Sequence, residues 1–170
     1  HNLAMGDFER DYAFGADAKT DAGAAGSAQF MGIVRTGGRI ATRNYIGILT
    51  SVNCSATAAK AIADHFRRDI HPEALAQFPH VDGVVALTHG LGCAVDSKGD
   101  GLAVLRRTLG GYARHPNFAA VLIVGLGCET NQIDGLMASE KLTGGATLRT
   151  LVIQENGGTA RTVAVGIEQV

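Results

Sequence analysis

The three cysteines of the chain are the residues whose type and placement most directly suggest chemistry. Cys54, Cys93 and Cys128 each follow an apolar run closely and precede a stretch with helical composition. Thiolates are soft ligands that select iron or zinc over magnesium or calcium. Three protein ligands with one open position are typical of a catalytic metal site. The separations of 39 and 35 residues are unlike CxxC, so this metal hypothesis depends on the fold. Its alternative is that each cysteine is a small hydrophobe in its own pocket.

Two ionisable side chains accompany the cysteines and are the candidate catalytic residues. His89 lies four residues before Cys93, and Glu129 directly follows Cys128. A histidine there is a candidate metal ligand or general base, because its ordinary pKa of about 6.5 suits proton transfer near neutrality. The alternative for His89 is a hydrogen bond within its loop. Glu129 is interpreted as a base or as an anchor for the site, and its alternative is an acid that favours a helix N-terminus.

Further polar residues near the strand ends could orient a substrate by hydrogen bonds. An arginine directly before the first strand could hold a carboxylate with two hydrogen bonds, and a serine after that strand could equally be a helix N-cap. The candidate substrate-binding residues are Arg43, Asn44, Asn53, Ser55, Thr88, Asn131 and Gln154.

These residues would be positioned by four repeats of one pattern, an apolar run followed by a helical stretch. Uninterrupted apolar runs are typical of parallel strands that are buried on both faces. The predicted strands are Tyr45–Val52, Val81–Leu87, Ala119–Val124 and Leu148–Ile153. The predicted helices are Ala56–Arg68, Gly101–Tyr112, Ile133–Glu140 and Ala160–Val170. The alternation predicts an α/β fold, an open three-layer Rossmann-like domain with a mainly parallel sheet of at least four strands. Ligands of such sheets bind beyond the carboxyl ends of the strands.

The N-terminal part of the sequence differs in character from the rest. We expect residues 1–17 to be the tail of a preceding domain and the Ala/Gly-rich residues 18–29 to be a linker. The α/β domain is then residues 30–170, beginning with a short β-ribbon that turns at Gly37-Gly38. Because the sequence begins with His rather than Met, we expect it to be a piece of a longer protein.

Composition argues against several classes of partner. A net charge of −1 gives no electrostatic basis for binding nucleic acid or an anionic membrane. No apolar run approaches the roughly 20 residues that span a bilayer, and no signal peptide is recognisable. Three widely spaced cysteines favour reduced thiols and hence the cytoplasm. No GxGxxG or GxxxxGK[ST] motif supports a nucleotide.

Several segments together resemble the altronate/galactarate dehydratase family of sugar-acid hydro-lyases. These segments read GRIATRNYIGIL, VNCSAT, THGLGC and HPNFAAVLIVGLGCETNQ, and HNLAMGDFERDYAFG is similar to the segment that leaves the family's N-terminal SAF domain. The resemblance implies a cytoplasmic enzyme of sugar-acid catabolism that removes water from an acid such as altronate or galactarate to give a 2-keto-3-deoxy acid.

The resemblance also implies a cofactor and partners. Members depend on a divalent metal, commonly iron, which Cys54, Cys93 and Cys128 would hold, either as Fe2+ or in an iron–sulfur cluster. The partners would be the N-terminal SAF domain and the C-terminal region of the same longer protein. A homo-oligomer is a further possible partner. Without that C-terminal region we expect the isolated chain to be inactive. The rival hypotheses are a non-catalytic metal- or carboxylate-binding domain and a thiol-redox protein, although the latter lacks a CxxC motif.

Overall fold

Four of the apolar runs form one parallel sheet in the computed structural model, which describes residues 26–27 and 29–170. A short antiparallel ribbon precedes this sheet, with Ile33 paired to Ala41. The ribbon strands are β1 (Ile33–Val34) and β2 (Ile40–Ala41). The sheet strands are β3 (Tyr45–Thr50), β4 (Gly83–Leu87), β5 (Phe118–Gly125) and β6 (Leu148–Val152). The sheet order is β4-β3-β5-β6, and every pair is parallel. The predicted fold class is therefore confirmed.

Each strand of the sheet is followed by a helix. The helices are α1 (Ala56–His65), α2 (Asp100–Ala113), α3 (Ile133–Ser139) and α4 (Thr159–Gln169). A 3-10 turn, Asn53–Ser55, leads from the end of β3 into α1. Strand β3 ends two residues earlier than predicted and α1 three residues earlier, because the chain turns at Ser51 and again at Phe66. Within residues 26–27 and 29–170, no helix is both long and apolar enough to cross a membrane.

The helices cover both faces of the sheet, which makes three layers. On one face, Ile62 of α1 packs with Ile48, Leu122 and Leu151 of the strands. On the other face, helices α2 and α3 pack against the strand residues of opposite parity. That second cluster contains Leu49, Leu105, Leu109, Val121, Ile123, Ile133, Leu136 and Leu148. Neighbouring strand residues such as Ile48 and Leu49 are both fully buried, which explains why the strands are uninterrupted apolar runs rather than alternating ones.

The strand order decides which loops meet at the carboxyl edge of the sheet. Strand β3 lies between β4 and β5, so the strand ends that carry Cys54, Cys93 and Cys128 belong to three adjacent strands. The chain leaves β3 toward β4 on one side, whereas it leaves β5 toward β6 on the other. A crevice between two such strands is the usual ligand position in open α/β sheets. The fold thus creates a topological switch point between the loops of Cys54 and Cys128.

The tail and linker predictions cannot be compared with this architecture. Residues 1–17 lie outside the described residues, as do residues 18–25 and 28 of the predicted linker, residues 18–29. The compact α/β unit comprises residues 31–170.

Candidate functional site

Three loops at the carboxyl edge of the sheet are joined to one another by hydrogen bonds. The backbone N–H of Asn53 donates to the carbonyl of Leu91 at 2.9 Å. The N–H of Asn131 donates to the carbonyl of Gly92 at 3.2 Å, and the Thr130 hydroxyl donates to the carbonyl of Cys93 at 2.9 Å. The connection between β4 and α2 therefore contacts the loops that follow β3 and β5, which the sequence spacing alone could not show.

The sulfur atoms are on the outside of this arrangement. Cys54, Cys93 and Cys128 are all free and exposed. The Cys54 thiol lies 3.5 Å from the side-chain oxygen of Asn53. We call the surface formed by the three cysteines and their loops the thiol edge. The alternative of three separately buried sulfurs does not describe these exposed side chains.

Donor type and donor spacing at the thiol edge lead to different conclusions about a metal. Exposed thiols on three adjacent strand ends are suitable soft ligands for iron. Within the described part of the chain, however, no three His, Cys, Asp or Glu side chains are close enough together to hold an ion. The cysteines share an edge but do not form a metal site with the spacing seen in this structure.

Glu129 is a buried residue in one of the loops that form the thiol edge. Its side chain is only 3% exposed. One carboxylate oxygen accepts from the Ser51 hydroxyl at 2.6 Å and from the N–H of Leu126 at 3.1 Å, while the other accepts from the N–H of Gly127 at 2.6 Å. These bonds tie the loop after β5 to the end of β3. They favour the anchoring interpretation of Glu129 over that of a base.

The protonation of Glu129 follows from the same contacts. Burial alone would raise the pKa of its carboxyl group, since it penalises the charged form. The hydrogen bonds from Ser51 and from the backbone N–H groups of Glu129, Gly127 and Leu126 outweigh burial, so the pKa lies below its ordinary value. The Glu129 carboxylate is thus ionised and accepts hydrogen bonds. Its lowered pKa makes it a weak general base for catalysis.

Asn131 is also buried and has its hydrogen-bonding groups occupied. Its side-chain N–H donates to the carbonyl of Ser51 at 2.9 Å, and its oxygen accepts from the Nε–H of Arg106 at 3.0 Å. The residue is fully buried. Asn131 therefore connects β3, the loop after β5 and helix α2, and it is placed to support the thiol edge rather than to contact a ligand.

His89 is held by the backbone through both ring nitrogens. Nε2 lies 2.9 Å from the carbonyl of Thr50, and the N–H of Leu91 donates to Nδ1 at 3.1 Å. A carbonyl can only accept and a backbone N–H can only donate, so the ring is neutral with its proton on Nε2. In this conformation neither nitrogen is free to take a proton or bind a metal. The geometry favours the loop hydrogen bond, the alternative raised from the sequence.

Replacing His89 with alanine is expected to lower the free energy of unfolding by about 1–3 kcal/mol, because it leaves the Thr50 carbonyl and the Leu91 N–H without this partner. Urea unfolding of the 170-residue chain measures the change. His80 is a matched control, because its side chain is exposed and His80→Ala is expected to change stability by less than about 0.5 kcal/mol. Equal losses in both variants would contradict the loop-anchoring role.

The remaining candidates at this end of the sheet fall into a buried group and an exposed group. The Ser55 hydroxyl is fully buried and lies 2.8 Å from the carbonyl of Val52 and 2.7 Å from that of Val124. Ser55 thus acts neither as an N-cap through its side chain nor as an accessible donor. Asn53 and Gln154 are exposed, whereas Thr88 lines a cavity of about 290 Å³ beside α2. Only Asn53 and Gln154 of this group present exposed amides near the cysteines.

Arg43 and Asn44 lie at the opposite edge of the sheet. Both precede β3, which has six residues, so about 20 Å separates them from the loop of Cys54. Arg43 is exposed, and its guanidinium donates to the carbonyl of Thr42 at 2.9 Å. Asn44 accepts from Arg35 at 2.7 Å and donates to the carbonyl of His80 at 2.7 Å. Within residues 31–170, these two residues do not share a site with the cysteines, because a residue before a parallel strand lies at its amino end.

Sequence reasoning did not single out three residues on which the thiol edge depends. Ser51 lies one residue before the end of the predicted apolar strand Tyr45–Val52, and a hydroxyl at that position is a readable sign of a hydrogen bond. Gly92 has a φ of +101°, and an added Cβ would lie 2.8 Å from the Cα of Val52. Arg106 reaches Asn131 from the middle of α2, and no periodicity distinguished it from neighbouring helix arginines.

The chain is thus an α/β domain with three exposed thiols at the carboxyl edge of its sheet, and a family model identifies its class. Residues 32–170 match the model for D-galactarate dehydratase/Altronate hydrolase, second domain. The match covers most of the chain, so the chain belongs to this family.

Individual relatives agree with this assignment. The chain is 35% identical over 99 residues to the altronate dehydratase of Escherichia coli (strain K12), which covers 58% of the chain and 19% of that protein. It is 34% identical over 104 residues to the altronate dehydratase of Bacillus subtilis (strain 168), covering 61% and 20%. It is 31% identical over 114 residues to the (2R)-sulfolactate sulfo-lyase subunit beta of Chromohalobacter salexigens, covering 66% and 25%. The chain thus matches about a fifth of the length of the two dehydratases. No solved structure matches it.

Proposed function

We propose that this chain is the second domain of a cytoplasmic sugar-acid hydro-lyase, which removes water from an acid such as altronate or galactarate to give a 2-keto-3-deoxy acid. The observation that carries the proposal is the strand order, because it sets Cys54, Cys93 and Cys128 on three adjacent strand ends beside a switch point. Family membership and the two altronate dehydratases support the reaction class.

The names of the relatives share a type of chemistry. A dehydratase expels water and a sulfo-lyase releases a sulfur-containing group, and altronate and sulfolactate are both carboxylates. In an elimination of this kind, a base removes a proton beside the carboxylate while the leaving group departs. A domain common to both would serve the shared part of the reaction, the binding of a hydroxy acid and the stabilisation of negative charge.

The thiol edge is the proposed position of the metal, with Fe2+ as the first choice and an iron–sulfur cluster as the alternative. Its three exposed thiols provide the donor type that iron prefers. Bound there, iron would supply a Lewis acid for the carboxylate and the departing hydroxyl. Since the thiols do not form a metal site in this structure, their loops would have to close further around the ion.

The other residues of the chain would hold the loops of the cysteines in place and orient the acid. His89, Glu129 and Asn131 hold the loops of the cysteines through bonds that occupy their polar atoms. The exposed amides of Asn53 and Gln154 are then the groups of this chain that would contact the acid. A catalytic role for His89 or Glu129 stays a prediction from the sequence, and the base is proposed to come from another part of the longer protein.

A second candidate is a non-catalytic metal- or carboxylate-binding domain of a larger enzyme. The observation that favours it is that His89 and Glu129, the two candidate bases, are committed to hydrogen bonds. In that case the thiol edge would still bind iron or the acid, while all bond breaking would depend on residues elsewhere in the longer protein.

The full-length protein tests the proposal. It is expected to release 2-keto acid from altronate or galactarate, and Cys54→Ser, Cys93→Ser and Cys128→Ser are each expected to lower its iron content and its activity at least about tenfold. Anaerobic purification, iron analysis and a 2-keto acid assay measure both. Ala94→Ser is the matched control, because it adds a hydroxyl at an exposed position beside Cys93. No turnover of any sugar acid would contradict the enzyme, and unchanged iron in all three cysteine variants would contradict the metal site.

A further inference from the structure

A cavity at the amino edge of the sheet is lined by arginines from two segments, the ribbon and the loop after α2. Its volume is about 340 Å³. Its lining includes the guanidinium groups of Arg35, Arg39 and Arg114 and the imidazole of His115, and no carboxylate lines it. Thr36 and Thr147 add hydroxyl groups to the wall, and Phe118 with the following alanines adds apolar surface. We call it the cationic cavity. It lies at the end of the sheet opposite the thiol edge and is separate from the site already described.

The ribbon places two of these arginines side by side. The N–H of Arg35 donates to the carbonyl of Arg39 at 2.8 Å across the Gly37-Gly38 turn. Within residues 26–27 and 29–170, neither arginine forms an ion pair with a carboxylate, whereas Arg114 pairs with Glu140 at 3.3 Å. Like charges on facing positions of a ribbon repel each other. A bound anion would relieve this repulsion.

The guanidinium groups are already held in place. Arg35 donates through Nε to the carbonyl of Pro116 at 2.8 Å and through Nη2 to Asn44 at 2.7 Å. Arg39 donates through Nη1 to the carbonyl of Arg114. Every one of these acceptors is neutral, so the bonds orient the side chains without cancelling their charge. An anion that enters the cavity would therefore lose little affinity to the ordering of flexible arginines.

His115 completes the set of donors. Its Nδ1 accepts from the N–H of Asn117 at 3.2 Å, which puts the ring proton on Nε2 and leaves a donor there. Arginine guanidinium groups match the planar or tetrahedral oxygens of carboxylates and phosphates. A volume of about 340 Å³ is at the lower end of the range of small-molecule sites, which suits a small anion better than a nucleotide.

Arg35 and Arg39 have no carboxylate partner among the described residues, their donors are held in place, and the cavity is small; from these observations we infer that the cationic cavity binds a small dianion, either phosphate or a short dicarboxylate. The site is independent of the proposed dehydration, because the two lie at opposite edges of the sheet. It gives Asn44 a role as a support for Arg35 rather than as a ligand of the substrate at the thiol edge.

Calorimetric titration of the 170-residue chain with inorganic phosphate, and separately with succinate, tests the inference at low ionic strength. At least one probe is expected to bind, and Arg39→Gln is expected to weaken that binding about tenfold. Raising the salt from 0.01 to 0.15 M should also weaken it, because the Debye length falls from about 30 to about 8 Å. Binding of phosphate alone would indicate a site for tetrahedral anions, and binding of succinate alone one for dicarboxylates.

The matched control is Arg149→Gln. Arg149 is an exposed arginine that also donates to one backbone carbonyl, that of Gln169 at 3.0 Å, so this variant changes the net charge equally. It should leave the affinity for the bound probe within about twofold of that of the unaltered chain. Failure of both probes to bind, or equal weakening by the two variants, would overturn the inference. Should Arg39→Gln not fold, amide chemical shifts of the unaltered chain decide, since binding here must perturb Thr36 and Thr147.

Discussion

Replacing Glu129 with glutamine is expected to lower the free energy of unfolding by about 2–4 kcal/mol. The carboxylate accepts from the Ser51 hydroxyl and from the N–H groups of Leu126 and Gly127, in a position that is almost fully buried. Glutamine would turn one acceptor into an amide N–H2 group that faces donors, and each buried polar group left unsatisfied costs about 1–3 kcal/mol. Urea unfolding of the 170-residue chain measures the loss.

The control for this substitution is Glu155→Gln. Glu155 is exposed in the loop after β6, where the same chemical change is expected to matter by less than about 0.5 kcal/mol. If Glu129→Gln lowered the free energy of unfolding as little as Glu155→Gln, the buried network would not be what holds the loop after β5.

Acid should weaken the Glu129 network in a predictable pH range. The folded-state pKa of Glu129 is below its ordinary value of 4.5, so the unfolded state binds the proton more tightly. The contribution to stability is therefore fully present above that ordinary value and is lost as the pH falls through the folded-state pKa. Stability measured between pH 7 and pH 2 should fall less steeply on its acid side in Glu129→Gln than in the unaltered chain.

The second large effect is expected from Gly92→Ala, which should lower the free energy of unfolding by about 3 kcal/mol or more. Gly92 has a φ of +101°, where an L residue is strained by about 1–3 kcal/mol. In addition, the new Cβ would lie 2.8 Å from the Cα of Val52 and would collide with the carbonyl of Ser51. The loop after β4 could then not stay against the end of β3, and the hydrogen bond from Asn131 to the carbonyl of Gly92 would be lost.

Gly90→Ala is the matched control in the same loop. An added Cβ at Gly90 has no atom within 4 Å, and its backbone does not need a positive φ. Thermal unfolding should separate the two variants clearly, with Gly90→Ala close to the unaltered chain.

The fold was readable from the sequence because each buried strand is an unbroken apolar run. Tyr45–Thr50 and Phe118–Gly125 lie within two residues of their predicted bounds. Strand order was not readable in the same way, since an α/β pattern does not say on which side of β3 the next strand is added. The three thiols could therefore be assigned to strand ends, but their neighbour relation required the order β4-β3-β5.

The polar residues of the site show a different limit of sequence reasoning. His89, Glu129 and Asn131 are of types that can do chemistry, but the sequence does not reveal that backbone groups, the Ser51 hydroxyl and Arg106 occupy their polar atoms. Arg43 is a case in which the position was informative. A residue directly before a strand lies at the amino end, so its distance from the cysteines followed from the predicted strand itself.

The central strand pair has a consequence for how the chain acquires its fold during synthesis. Tyr45 pairs with Phe118, 73 residues further along the chain, whereas Tyr45 pairs with Gly83 after only 38. Strand β3 can thus join β4 while β5 is still to be made, and the pairing with β5 has the larger loop-closure entropy to overcome. Cys54 and Cys93 can therefore come together before Glu129 and Asn131 exist to fix their loops. A nascent chain halted near residue 110 would carry Cys54 and Cys93 on loops that no hydrogen bond from Glu129 or Asn131 yet holds.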